Sequence, residues 1–252
     1  MMRVAALYDI HGNLPALEAV LDAVDKQAVD LLLIGGDIAW GPFPSETVER
    51  LMDVGDRATF IRGNADREVG GRLGTSNGLE KTVAEINLWA ADQLTGQQLE
   101  WLLNLPATFS VDIDGIGQTL FCHGSPRSDE EPITPITPVD RLLAALAPAS
   151  QSIVVCGHTH MQFDRRSADR RVINAGSVGM PYQDQTGAYW ALLSADGIDL
   201  CKTDYDIEEA ANSMKETSCP HVEEVFMETI LHPPQMDETA RLFERSALKK
   251  SF

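Results

Sequence analysis

Five short polar motifs, each at the end of an apolar run, limit this chain more tightly than any other feature of its 252 residues. Asp9-Ile10-His11 follows the run at 4–8, Gly35-Gly36-Asp37 the run at 31–34, and Gly63-Asn64 the run at 59–61. Cys122-His123-Gly124 closes the run at 118–122, and Gly157-His158-Thr159-His160 follows 152–156. Runs of this length read as buried strands, and open α/β sheets place their sites in the crevice beyond the carboxyl ends of strands. In Asp9/His11 and His158/His160 the i, i+2 spacing turns both side chains the same way if the backbone is extended. The adjacent glycines allow positive φ and close backbone approach where the chain turns.

The side chains in these motifs are two carboxylates, one amide and four imidazoles. That set suits divalent Mn, Fe, Zn, Ni or Co, and argues against Ca or Mg alone. Seven ligands exceed one tetrahedral site and fit two ions sharing a carboxylate, roughly 3.5–4 Å apart. Two such ions, less two carboxylates and a hydroxide, leave roughly one positive charge, which favours an anionic phosphoryl group over a neutral ester.

Around the motifs the first hundred residues alternate strand and helix. A helix is expected from about Leu14, capped by Asn13 with Pro15 in its first turn, burying Leu14, Leu17, Leu21 and Val24. A second helix is expected over 45–54. This β-α-β-α-β order implies parallel strands with right-handed crossovers. Helices follow at 79–94 and 96–103, where Thr95 and Gln98 form a capping box. Strands are then expected at 107–113, 118–122, 152–156, 162–166, 170–173 and 188–201, with a helix near 139–146. The Pro-rich stretch 132–138 reads as an ordered surface loop. Beyond Asp206 the chain becomes helical and charged. Val222, Val225, Phe226, Thr229 and Ile230 share one face; Met236, Ala240, Phe243 and Ala247 share another. This predicts a catalytic domain over 1–205 and a helical appendage over 206–252, packed on it or used to form a homo-oligomer.

Thirty-eight acidic against 20 basic residues give a net charge of −18, so duplex nucleic acid is not expected as the main ligand, since such binding relies on Lys and Arg. Cys122, Cys156, Cys201 and Cys219 show no C-x-x-C spacing, so buried thiols in a reducing compartment are expected rather than a disulfide scaffold. The apolar start stops at Asp9, too short for a signal-peptide core, and no run approaches the roughly 18 apolar residues of a membrane span. A cytoplasmic location and no membrane association are expected.

The ordered set Asp9-x-His11, Gly36-Asp37, Gly63-Asn64, Cys122-His123 and Gly157-His158-x-His160 resembles the calcineurin-like metallophosphoesterase superfamily. The surrounding residues 9–17 (DIHGNLPAL) and 174–179 (NAGSVG) are similar to its small bacterial and archaeal phosphodiesterase-like branch. The resemblance covers roughly 3–203. It implies an α/β fold, a four-layer αββα sandwich of two mixed sheets. It also implies two divalent ions, manganese foremost: one held by Asp9, His11 and His160, the other by Asn64, His123 and His158, with Asp37 bridging. Asp37, Asn64 and His123 would be the catalytic core, and a metal-bridging hydroxide would attack a small phosphodiester or activated phosphomonoester. A nucleotidase or dinucleoside polyphosphate hydrolase, or a non-catalytic interaction module on the same scaffold, are the alternatives.

Two positions depart from the family pattern. Gly63-Asn64-Ala65-Asp66 lacks the usual histidine, at Ala65, which removes the obvious general acid and penalises poor leaving groups by about 10²–10⁴-fold. Tyr8 stands where Ser or Thr is usual. Asn13, Arg62, Arg127 and Ser177 are the candidate substrate contacts; Arg62, Arg67 and Arg127 offer the fork geometry that suits phosphate.

Overall fold

The computed structural model describes residues 1–250 and 252. In chain order its elements are β1 Val4–Leu7, α1 Leu14–Asp25, β2 Leu31–Ile34, α2 Pro44–Met52, β3 Ala58–Phe60, α3 Asn64–Gly70, α4 Lys81–Gln93, α5 Gly96–Asn104, β4 Thr108–Ile113 and β5 Gly117–Cys122. There follow α6 Val139–Leu146, β6 Ile153–Cys156, β7 Phe163–Ser167, β8 Arg170–Asn174, β9 Ala188–Ser194, β10 Gly197–Thr203, α7 Ile207–Lys215, a π-helix Val222–Met227, α8 Glu228–Leu231 and α9 Met236–Ala247. The strands form two five-stranded mixed sheets, ordered β10-β9-β1-β2-β3 and β4-β5-β6-β8-β7. In the first, β1, β2 and β3 run parallel; in the second, β5, β6 and β8 do.

Side-chain alternation along β1 shows why the layers stack as they do. Ala5 and Leu7 face a core shared with Leu17, Val20 and Val24 of α1, whereas Val4, Ala6 and Tyr8 face one shared with Phe121, Val155 and Ile173 of the second sheet. A strand apolar on both faces must be covered on both. The outer face of the second sheet is covered by α6, through Leu142, Ala145 and Leu146, and by Ala240 of α9. Helix, sheet, sheet, helix is thus the expected four-layer αββα sandwich. Tyr8 packs between the sheets, its ring occupying the space a side chain at Gly35 or Gly157 would need, and its hydroxyl donates to the Val155 carbonyl at 3.1 Å.

Local signals mostly held. Asn13 Oδ1 accepts from the Ala16 amide at 3.2 Å, and Thr95 and Gln98 exchange the two bonds of a capping box. The run 188–201 is instead a hairpin, β9–β10, broken around Asp196 with Gly197 at φ 136°. The short helix α3 was not foreseen: its apolar residues are too few for a periodic signal, and its cap is the Asp66 carboxylate accepting from the Gly63 amide at 2.9 Å. The Pro-rich stretch is a loop exposed at Ile136 and Pro138 but buried over 132–134 and at Thr137, where Thr134 and Thr137 donate to Glu244 of α9 at 2.7 Å.

The C-terminal helices pack on the body. Phe226 and Ile230 join Ile86 and Met180 in one cluster, while α9 is held by Ala240 and by the Arg141–Glu244 ion pair at 2.6 Å. Cys122, Cys156 and Cys219 are buried free thiols, and Cys201 is half-buried. Among the described residues no helix is long and apolar enough to cross a membrane.

Candidate metal centre

The five motifs converge at one end of the sandwich and form two clusters able to hold an ion. Ligand atoms of Asp9, His11 and His160 lie within 4.8 Å of one another, and so do those of Asp37, His123 and His158. The backbone achieves this by turning. Asp9, His11, Asp37, His158 and His160 all have φ between 49° and 65°. The i, i+2 pairs are therefore not extended, as the spacing suggested; each ligand sits in a left-handed turn that drives its side chain into the crevice. Neighbouring backbones come close enough that a Cβ on Gly63 would lie 2.1 Å from Asp37 Oδ1.

Each imidazole spends one ring nitrogen on a backbone carbonyl. His11 Nδ1 donates to Trp40 at 3.2 Å, His123 Nδ1 to Gly35 at 2.9 Å, His160 Nδ1 to Met180 at 2.7 Å, and His158 Nε2 to Glu130 at 3.2 Å. This fixes the tautomers and leaves Nε2 of His11, His123 and His160, and Nδ1 of His158, free to face inward. The inward atoms are crowded. His11 Nε2 is 3.1 Å from His160 Nε2, and Asp37 Oδ2 is 3.7 Å from His11 Nε2 and 3.4 Å from His123 Nε2. Asp9 Oδ1 lies 3.6 Å from His160 Nε2 and 3.8 Å from His123 Nε2. Asp9 Oδ1, Asn64 Oδ1 and His123 Nε2 are buried with no hydrogen-bond partner among the described residues. Orphaned donor atoms of these types, facing one another, fit divalent ions, because stranding a buried polar atom otherwise costs roughly 1–3 kcal/mol.

Charge in the metal-free site follows burial. Burial is the largest influence on His11, His158 and His160 and holds all three below the ordinary imidazole value, His158 at about 4; they are neutral and ready to coordinate. Burial works the same way on His123, but the Asp37 and Asp9 carboxylates and the Gly35 carbonyl together outweigh it and lift that imidazole to about 10. Burial would raise Asp37, yet His123 beside it holds the carboxyl below the usual range. Binding a metal must displace the His123 proton.

Around the ligands sits a layer of braces. Asp66 accepts from the amides of Asp37 and Ile38 at 2.8 Å as well as from Gly63, tying the second motif to the third. Ser177 donates to the Asp9 carbonyl at 2.7 Å and accepts from Met180, while the Asn13 amide donates to Gly179. Both are buried with their polar atoms engaged in holding the first motif in place. Arg62 and Arg127 line a separate cavity of about 300 Å³ beside His123, with Arg127 paired to Glu131 and Arg62 donating to the Leu103 carbonyl. The cavity over the ligands, about 350 Å³, is lined instead by Trp40, Glu68, Tyr182, Val225 and Phe243. Trp40 and Glu68 follow the second and third motifs by three and four residues, whereas Val225 and Phe243 come from the tail, remote from every motif.

Glu68 is pushed up to about 7, first by burial and then by Asp37. An unfolded glutamate titrates near 4.3, so the folded form keeps its proton over roughly pH 4.3–7 and loses relative stability as pH rises through that window. In metal-stripped protein, Glu68→Gln should therefore gain melting temperature over wild type progressively from pH 5 to pH 8. An equal difference at both pH values would refute the shift.

The match to known proteins agrees with this geometry. Residues 2–197 match the model of the calcineurin-like phosphoesterase superfamily domain, and the chain belongs to that superfamily. Among individual proteins it is similar to uncharacterized protein MJ0912 of Methanocaldococcus jannaschii, 26% identical over 237 residues, covering 86% of this chain and 93% of that one. It is also similar to phosphodiesterase YfcE of Escherichia coli, 37% identical over 78 residues, which span 27% of this chain and 42% of YfcE. The crystal structure of a metallophosphoesterase from Sphaerobacter thermophilus superposes with a TM-score of 0.74 at 27% identity, covering 92% of this chain and 99% of that one.

Proposed function

We propose that this phosphoesterase hydrolyses a small phosphodiester or activated phosphomonoester at a dinuclear centre. Asp9, His11 and His160 would hold one divalent ion and Asn64, His123 and His158 the other, with manganese favoured over iron, nickel, zinc or cobalt. The observation that carries this reading is Asp37 Oδ2, which reaches a ring nitrogen of each cluster and can serve as the shared ligand. When bound, the ions would lower the pKa of a water between them and neutralise charge on the phosphoryl oxygens. The chain's own part is to fix that geometry: the carbonyls of Gly35, Trp40, Glu130 and Met180 orient the imidazoles, and Asp66 orients Asp37. In hydrolysis the water oxygen forms the new P–O bond while the ester P–O bond breaks and its electron pair leaves on the departing oxygen. Ala65 offers that oxygen no proton, so esters with acidic leaving groups are favoured. The name carried by YfcE supports a diester. We further propose 1–205 as the catalytic unit with 206–252 as its appendage, working in the cytoplasm.

The test is hydrolysis of bis(p-nitrophenyl) phosphate and p-nitrophenyl phosphate by metal-stripped protein, with Mn²⁺, Ni²⁺, Zn²⁺ or Mg²⁺ restored. Turnover that returns with the ion, at two ions per chain, is expected. Two ions without turnover of either ester would favour a non-catalytic module.

A further inference from the structure

The body that matches the superfamily ends at residue 197, yet the cavity over the metal ligands is bordered by residues far beyond it. Two segments of the tail do this, one against each cluster. From the π-helix, Phe226 packs on Trp40 at 5.1 Å between ring centroids, and Trp40 in turn meets His11 edge-on at 5.5 Å. Val225, one residue earlier, faces the cavity. From α9, Phe243 stands 6.1 Å from the His158 ring and 6.4 Å from Tyr182, which itself stacks on His160 at 4.6 Å. The seat of α9 is rigid, because Glu244, the next residue, accepts from Arg141, Thr134 and Thr137 beneath it.

We propose that Val225 and Phe243 form the specificity wall of the substrate pocket, admitting phosphate esters whose leaving group is a single flat aromatic ring and shutting out bulkier ones. The inference rests on the phosphoesterase reading and names its substrate class. Size is the first ground. The cavity of about 350 Å³ must take the ions and the phosphoryl group as well as the leaving group. An apolar cavity of roughly 150 Å³ is enough for benzene, so one ring fits beside the phosphoryl group and a second would have to extend past Phe243. Chemistry is the second. Trp40, Met180, Tyr182, Val225 and Phe243 present aromatic and apolar surface directly above the ligands. Such surface favours a planar ring by roughly 2–10-fold in affinity per aromatic contact. Charge is the third. The groove leading outward from His158 and Phe243 is lined by Glu68, by Glu80, and by Glu130, which is paired to both Lys250 and Arg67. A second phosphate extending that way meets the Glu80 carboxylate and, among the described residues, no unpaired cation, so polynucleotides and polyphosphates are disfavoured.

The test uses full-length metal-loaded protein, as wild type, Phe243→Ala, Phe243→Leu and Val225→Ala. Binding of phenylphosphonate and 1-naphthylphosphonate is measured by calorimetry, and hydrolysis of phenyl and 1-naphthyl phosphate in parallel. Wild type is expected to prefer the phenyl member of each pair by about tenfold or more. In Phe243→Ala, phenylphosphonate should weaken by about 2–10-fold, the loss of one aromatic contact, while the preference collapses. Val225→Ala should narrow the preference in the same direction. Phe243→Leu guards against misfolding, and with two ions retained it should keep most of the preference. An unchanged phenyl-to-naphthyl ratio in Phe243→Ala with metal intact would overturn the wall. Selective phosphonate binding without hydrolysis of either ester would sink the catalytic reading alone, and failure to bind either phosphonate would overturn both.

Discussion

Asp37→Ala is expected to lower metal-dependent phosphoester hydrolysis by at least about 10³-fold and to reduce the metal content from two ions to one or fewer. Asp37 spans the two clusters, as Asp9 Oδ1 also does at 3.6 Å from His160 Nε2 and 3.8 Å from His123 Nε2. Asp37 Oδ2 lies 3.7 Å from His11 Nε2 and 3.4 Å from His123 Nε2, while Oδ1 is held by the Ala65 amide at 2.8 Å. Alanine removes the shared ligand and the charge that keeps His123 protonated in the metal-free protein. Asp37→Asn keeps the size of the side chain and loses the charge, so it should fall between alanine and wild type. Metal analysis and initial rates on the same preparations decide the matter. Full metal content in Asp37→Ala would show that the carboxylate does not bridge.

The second large effect should come from a residue that touches no metal. Asp66→Ala strands three buried amides, those of Gly63, Asp37 and Ile38, each worth roughly 1–3 kcal/mol when left unpaired. After relaxation a loss on the order of 3 kcal/mol in stability is expected, with metal affinity falling by about 10–100-fold, the usual cost of removing a group that orients a ligand. Asp66→Asn retains an acceptor and should recover part of both. Chemical denaturation and competitive metal titration check the two quantities separately. A variant that melts early yet binds metal normally would make Asp66 a fold residue only.

How far the sequence reaches depends on where each interaction is encoded. The candidate ligands were legible because carboxylates and imidazoles at strand ends are rare and ordered; the structure brings Asp9, His11 and His160 together, and likewise Asp37, His123 and His158, and places the Asn64 oxygen unpartnered beside them. The layer behind them was mostly illegible. Trp40 and Met180 act on the imidazoles through their carbonyls, which every residue possesses. Asp66 could be seen as part of a motif, but not that its carboxylate reaches back to Asp37. Ser177 and Asn13 looked like contacts because their side chains are polar and near the motifs, whereas only the folded chain shows those atoms already engaged. Helix α3 escaped because its capping is tertiary as much as local. Phe243 escaped for the plainest reason: nothing in an amphipathic tail helix says which strand end it will cover.

The left-handed backbone at Asp9, His11, Asp37, His158 and His160 carries a consequence for how such a protein can change over time. A non-glycine side chain in a sparsely populated backbone region costs of order 1–3 kcal/mol, and glycine relieves it. Replacing His11 or His160 with glycine would therefore destroy the ion site and ease the turn in one step. Selection for catalysis and selection for a sturdy scaffold pull in opposite directions at the same five positions. A descendant freed from the need to hydrolyse anything could shed its ligands and become harder to unfold, so inactive relatives built on this frame lie thermodynamically downhill from the enzyme.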